Sequence, residues 1–284
     1  MAVVLDGIAY GLQLALLAVG LTMIYGLGGV LNLAHGQFAV TTAIATAVLL
    51  DRGVPTVAAI VAGIALGALV ALITDATLMR AVYRLEGDAR VLLSLLLTIG
   101  LAFVIDGLLI YNYPFTQLNL PISGAAVPIL GVPMRRGSLA SSVLAVIALG
   151  ALITFLRYTR RGKAVRSIIQ DEVGAQLCGI NPSAVRTAVF ALSGALAGLA
   201  AVGEGMTSSL GATDGSELTI LALIVTVVGG LGSVAGALLA GLLLGLIYTL
   251  SQVYIGAYVT FIILLLTALV TILIRPSGLL GRGT

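Results

Sequence analysis

Hydrophobic residues run along this chain in long uninterrupted stretches, near 5–26, 33–50, 54–79, 91–112, 138–157, 185–204, 217–232, 234–251 and 256–274. A run of about 20 apolar residues covers the hydrocarbon core of a bilayer as helix. Stretches such as "ALLAGLLLGLIYTL" and "FIILLLTALVTILI" are apolar on every face, whereas barrel strands alternate in polarity over about 10 residues. Backbone groups in lipid must also be satisfied within their own segment, which leaves the helix as the spanning element. The pattern predicts an all-α polytopic bundle. Two runs are short or broken by glycine, so the expected number of transmembrane helices is eight or nine. Little sequence remains between the runs for a separate soluble domain, and residues 1–284 are read as one transmembrane domain.

Composition agrees with the pattern. The 284 residues are 60% hydrophobic and 9% charged, with a mean hydropathy of +1.19, too apolar for the surface of a water-soluble domain. The start, "MAVVLDGIAYG", lacks the basic region of a signal peptide, so it is expected to persist as the first helix. The single cysteine, Cys178, cannot form a disulfide within the chain.

Charge bears on orientation. Of the 14 basic residues 13 are arginine, and most stand between apolar runs, a membrane-orientation pattern with nothing resembling a nucleic-acid groove. Arg80, Arg84 and Arg90 form one cluster. Arg157, Arg160, Arg161, Lys163, Arg166 and Arg186 form another, and Arg275 and Arg282 close the chain. All three are expected to face the cytoplasm. A cytoplasmic C-terminus puts the N-terminus outside for nine crossings and inside for eight. Arg135 and Arg136 count against this layout, since segment 113–137, with its proline-bearing stretch "NYPFTQLNLPISGAAVPILGVP", is then an external loop partly covering a cavity mouth. Small residues four apart, Gly63/Gly67, Gly194/Gly198 and Gly241/Gly245, predict close helix crossings.

Two glycine clusters interrupt apolar runs: "GLGGVLNLAHG" at 26–36 and "VVGGLGSVAG" at 227–236. Paired breaks in the two halves of a membrane protein point to a transport site near the midplane, where unwound backbone and half-helix dipoles can meet a polar solute. Gly28, Gly29, Asn32, His35, Gln37, Gly229 and Gly230 are the candidates to line or brace a pathway. The alternative is that the glycines serve packing while Asn32 and His35 bond to neighbouring helices. The chain's one histidine has no metal-ligand companions, so no metal site is expected. Asp106 within "LAFVIDGLLIY" is expected to face the bundle or a wet cavity, Asp75 to pair with Arg80, and Glu204 to lie near the outer end.

The only sizeable polar segment is 157–186. Val165, Ile168, Ile169, Val173 and Leu177 fall at helical spacing, with Gly179 as a stop and Pro182 beyond it. This predicts one short amphipathic helix and a turn, lying on lipid or docking into a partner's groove.

"GLTMIYGLGGVLNLAHGQF", "RSIIQDEVGAQLCGIN", "FALSGALAGLAA" and "VVGGLGSVAGALLAG" follow one another in the order and spacing of the branched-chain amino acid ABC transporter permeases, first type of the pair, which the chain resembles over nearly its whole length. Urea and sugar permeases are relatives of that group. The resemblance implies a bacterial cytoplasmic-membrane permease working with a second homologous permease, two cytoplasmic ATPase subunits and an extracytoplasmic solute-binding protein. It places the ATPase-coupling segment at 166–181, with Arg166, Gln170, Asp171, Glu172, Gly179, Ile180 and Asn181, and sets "NLAHG" beside the translocation path. Gln37 stands where many relatives carry an acid, and Gly174 where alanine is common.

No phosphate-binding loop accompanies these motifs: the sole lysine, Lys163, follows Gly162 but precedes Ala164, with Arg157 where the first glycine belongs. ATP therefore belongs to partner subunits, and the chain itself carries no expected cofactor. No nucleophile and base pair, so no catalytic residue is nominated. The expected function is import of branched-chain amino acids or related small polar solutes; an ion-coupled secondary transporter, a passive channel, and urea, short-amide or sugar permeases are the rivals.

Overall fold

The computed structural model describes residues 1–120, 122, 126–129 and 132–281. Arg282 and parts of the 112–133 stretch, both used above for orientation, lie outside the described residues. In chain order the helices are α1 (Ala2–Gly28), α2 (His35–Asp51), α3 (Thr56–Thr74), α4 (Arg80–Val82), α5 (Gly87–Asn112), α6 (Arg136–Tyr158), α7 (Arg160–Gln170), α8 (Glu172–Leu177), α9 (Pro182–Gly205), α10 (Gly215–Gly229), α11 (Val234–Tyr254) and α12 (Ala257–Ile274). A π-helical stretch, Asp75–Met79, joins α3 to α4. Among the described residues seven helices are long and apolar enough to cross a membrane, with α10 as a shorter apolar helix. The nine hydrophobic runs thus correspond, within a few residues, to α1, α2, α3 through α4, α5, α6, α9, α10, α11 and α12.

The bundle is built around α1. Every residue from Leu14 to Ile24 of α1 is buried, because α6, α9, α10 and α11 surround it. That explains why its sequence shows no polar face: a helix with neighbours on all sides has none to solvate. The outer helices α3, α5, α6 and α12 instead expose large apolar side chains such as Leu69, Phe103, Ile147 and Leu273, as a lipid-facing surface requires.

Glycine makes the central crossings possible. α1 and α11 are antiparallel and touch backbone to backbone, with Gly11 against Gly241 and Leu242, and Gly26 against Gly232. A methyl on Gly241 would lie 2.6 Å from the Ala15 Cβ. Gly63 and Gly67 face Thr46 and Thr42, and Gly194 and Gly198 close the same contact from α9. All three small-residue pairs therefore lie in tight crossings, where packing replaces the absent hydrophobic drive.

The antiparallel α1/α11 pair also sets the ends of the molecule. Gly26, the 231–235 turn and the tail lie at one face, where Leu279 N–H donates to Val228 O (2.8 Å) and Leu280 N–H to Gly229 O (3.1 Å). This is the face of Arg90, Arg186 and α7. Met1 begins at the opposite face, so the described ends lie on opposite sides, as nine crossings require.

Two expectations change here. The stretch expected to be external is not wholly irregular: β1 (Gln117–Leu118) pairs antiparallel with β4 (Leu210–Gly211), and β2 (Val127–Ile129) with β3 (Val132–Met134). The amphipathic helix of the polar segment is two helices. Asp171 is extended (φ −156, ψ 103) and its carboxylate caps α8 by accepting from Gly174 N–H at 3.0 Å. An N-cap competes successfully with helix continuation because it satisfies an otherwise orphaned amide. The break splits the apolar stripe: Val165 and Ile168 of α7 are buried, while Val173 and Leu177 of α8 are 68% and 86% exposed.

Candidate functional site

The first glycine cluster ends α1 with Gly29 in the left-handed region (φ 60), its N–H donating to Tyr25 O. The chain then turns back without helix from 30 to 34. His35, which starts α2, hydrogen-bonds through Nε2 to Leu17 O (2.9 Å). Leu17 and Gly28 are separated by about 16 Å along α1, a climb that five extended residues just span. The inner part of this crossing is therefore non-helical chain ending in a turn at 33–34, and α2 begins within the bundle.

Non-helical backbone inside a bundle needs partners, and α5 supplies them. Ser94 Oγ accepts from Leu31 N–H (3.2 Å) and Thr98 Oγ1 from Leu33 N–H (2.9 Å). Both hydroxyl residues are fully buried. Asn32 Oδ1 accepts from Ala34 N–H (3.0 Å), while its Nδ2 is buried without a partner. Two helical turns beyond Thr98 on the same face of α5, Asp106 accepts from Gln37 Nε2 (3.3 Å). Asp106 thus faces the bundle, held by α2.

His35 clamps three elements. With Nε2–H donated to Leu17, Nδ1 accepts from the Ser193 hydroxyl of α9 (3.4 Å). Gly20 leaves the room: a methyl there would lie 2.8 Å from Ser193 Oγ and 3.0 Å from the imidazole. Next to it, Gly36 N–H donates to Thr219 Oγ1 (2.9 Å), and Thr219 donates to Gly215 O (2.9 Å). The N-termini of α2 and α10 therefore abut inside the molecule.

The second cluster does something different from what its glycines suggest. Gly229 packs on Gly236, and Gly230 (φ 104) lies against Ser277 and Gly281 of the tail. This is the α10–α11 turn at the basic face, beside the end of α1, and not a midplane break. A glycine cluster looks alike in sequence whether it unwinds a helix or joins two. The interior partner of the first break is the start of α10, which carries no glycine signature beyond Gly215.

Two cavities lie at opposite ends of α1, named outer (at its start) and inner (at its end) after the orientation expected from the basic residues. The outer one, about 460 Å³, has carboxylates from Asp6, Glu204, Asp214 and Glu217, with Arg135 at its edge. Tyr10 and Tyr248 stack beside it, ring centres 4.5 Å apart, and Gln13 lines it while donating to Ser141 O (2.6 Å). The inner one, about 620 Å³, is lined by Met23, Tyr25, Gly26 and Gly29 of α1, Arg166 and Gln170 of α7, and the 231–235 turn. Both sizes suit small-molecule sites. Between them, α1 is closed in on all sides.

Of the sequence candidates, Gly29, Arg166 and Gln170 line the inner cavity. Asn32, His35 and Gln37 are buried at 0–1% exposure on the side of α1 facing α5, α9 and α10. Gly28 packs against Tyr83. Glu172 is ion-paired with Arg186 (2.6 Å), Gly179 has φ 81, Ile180 N–H donates to Ala175 O, and Asn181 caps α9 by accepting from Ser183 N–H (3.0 Å). Asp75 accepts from the Thr187 hydroxyl (2.5 Å) where a pair with Arg80 was expected. Sequence reading passed over Asp6, Gln13, Glu217 and Arg135, and read Glu204 as an end-of-helix residue. Their common signal, polar groups within about three turns of the helix ends at that face, emerges once the ends are known to converge.

A bundle with many membrane-spanning helices and a cavity at each face, one of them carrying a set of carboxylates, has the architecture of a transmembrane permease. The family described as the branched-chain amino acid transport system permease component matches residues 3–274, and the chain belongs to it. It is similar to the high-affinity branched-chain amino acid transport system permease protein LivH of Salmonella typhimurium, 28% identical over 98% of this chain and 94% of the relative. The corresponding protein BraD of Pseudomonas aeruginosa matches at 28% with the same coverage. The ribose import permease protein RbsC of Escherichia coli is also 28% identical, over 79% of this chain and 70% of its own. Among solved structures, PsaBC from Streptococcus pneumoniae in complex with Fab shares the fold, with a TM-score of 0.50, 14% identity, and 95% and 89% of the two chains covered.

Proposed function

We propose that this chain is the permease half of an ATP-driven importer whose solute enters the outer cavity, passes along α1 and leaves by the inner cavity. The observation that carries this reading is the pair of cavities on one helix with a closed stretch between them, the arrangement alternating access needs. Residues 1–284 act as one permease domain in a bacterial cytoplasmic membrane, with the basic face and C-terminus cytoplasmic. Its partners are a homologous permease forming a heterodimer, two ATPase subunits that hold the ATP, and a solute-binding protein at the outer face. Asn32, His35 and Gln37 brace the wall of the path, and Gly28, Gly29, Gly229 and Gly230 allow the close turns at its inner end.

The outer cavity supports an aliphatic amino acid as the solute. Four carboxylates can receive an ammonium group, Arg135 a carboxylate, and the paired tyrosines with Leu218 and Leu221 an apolar side chain. A sugar would leave the carboxylates without a cation. Replacing Glu204 or Glu217 by glutamine is expected to weaken leucine binding to the purified protein about tenfold, as read by calorimetry. Unchanged affinity in both variants would remove this cavity from the path.

Docking on the ATPase is assigned to α8, since Val173 and Leu177 face outward there, with Gln170, Asp171, Ile180 and Asn181 shaping the ends of the segment. Gly179→Val should strain the turn by about 1–3 kcal/mol and lower ATPase subunit co-purification without affecting membrane insertion. In proteoliposomes holding all subunits, uptake should require ATP and survive ionophores. Uptake that ionophores abolish would favour ion coupling instead.

A further inference from the structure

Arg186, at the base of α9, is only 8% exposed and holds three other elements at once. Its Nη2 donates to Glu172 Oε2 of α8 (2.6 Å), and its Nε donates to Leu27 O in the last turn of α1 (3.2 Å). Its guanidinium carbon lies 4.5 Å above the centre of the Tyr83 ring, just past α4. Tyr83 in turn presses on Gly28, where a methyl would come within 2.7 Å of the ring, and Arg90 donates to Gly28 O (3.2 Å). Burial pushes the Tyr83 phenol above its usual range, so the ring under the guanidinium stays neutral. The neighbouring Thr187 holds Asp75 in the π-helical stretch.

The geometry points to a transmission role. Glu172 is the partly exposed end of this chain of contacts, on a helix whose Val173 and Leu177 face outward. Leu27 is the opposite end, next to Gly26, which borders the inner cavity. A guanidinium is a planar fork of fixed shape, so two of its nitrogens cannot move independently. We infer that Arg186 is a positioning residue that carries displacement of α8 to the end of α1 and so sets the opening of the inner cavity. The inference rests on the reading that α8 docks on an ATPase.

The test uses the assembled transporter in proteoliposomes. Arg186→Lys retains the charge but offers one point in place of the fork. Uptake per ATP hydrolysed is expected to fall about tenfold or more, while ATPase subunits still co-purify. A second readout is maleimide labelling of Leu231→Cys in a Cys178→Ser background, at the inner cavity. Labelling that changes with nucleotide in the parent should stop responding in Arg186→Lys. Should Arg186→Lys fail to fold, Glu172→Gln cuts the same link from its exposed end and should also silence the response. Retained uptake per ATP, a retained labelling response, or loss of the ATPase subunits would each overturn the transmission role, the last by making Arg186 a docking residue. A parent complex without ATP-driven uptake would instead overturn the importer reading, and this inference with it.

Discussion

Gly36→Ala should destabilise the folded protein by about 3 kcal/mol, seen as a lower melting temperature and poor recovery from detergent. The added methyl would overlap Gly215 O and lie 2.7 Å from Thr219 Oγ1 and 2.8 Å from Thr219 N. Two of these three atoms are backbone in the first turns of α10, which cannot yield without moving the helix. The N–H of Gly36 also donates to Thr219, so any retreat breaks that bond. Gly107→Ala is the comparison: nothing lies within 4 Å of a methyl there, and its melting temperature should match the parent. A Gly36→Ala protein that melts with the parent would mean that α2 and α10 do not meet as described.

The second large effect is expected from Ser94→Ala combined with Thr98→Val. Both hydroxyls accept from backbone amides of the non-helical 30–34 segment, and both are buried. Removing them orphans two N–H groups in a dry interior at about 1–3 kcal/mol each, so the pair should cost roughly 2–6 kcal/mol and speed hydrogen exchange of the Leu31 and Leu33 amides. Thr98→Ser retains the acceptor and should behave like the parent. Parental stability and exchange in the double variant would show that these amides find other partners, water included.

Much of the architecture was legible because lipid imposes a simple rule. A helix must be apolar over about 20 residues, and all nine such runs became helices of the bundle with ends displaced by a few residues. The site was less legible. Ser94, Thr98 and Asp106 recur at multiples of four on one face of α5, and that spacing could have announced a polar seam for a non-helical neighbour. The outer carboxylates had no such spacing, since they come from α1, α9, α10 and the segment between the last two. The second glycine cluster misled for a physical reason: glycine permits close approach and positive φ alike, and only the neighbours decide which is used.

What the chain determined by itself is therefore its class: membrane residence, helical spans, tight glycine crossings and the family. Hydrophobic length and local backbone chemistry suffice for these, as each depends on residues close in sequence. Tertiary structure alone decided that α2 and α10 start inside the bundle and touch, that His35 bonds to both α1 and α9, and that Arg186 joins α8 to α1. Those relations link residues far apart along the chain, and such contacts exist only once the helices have packed.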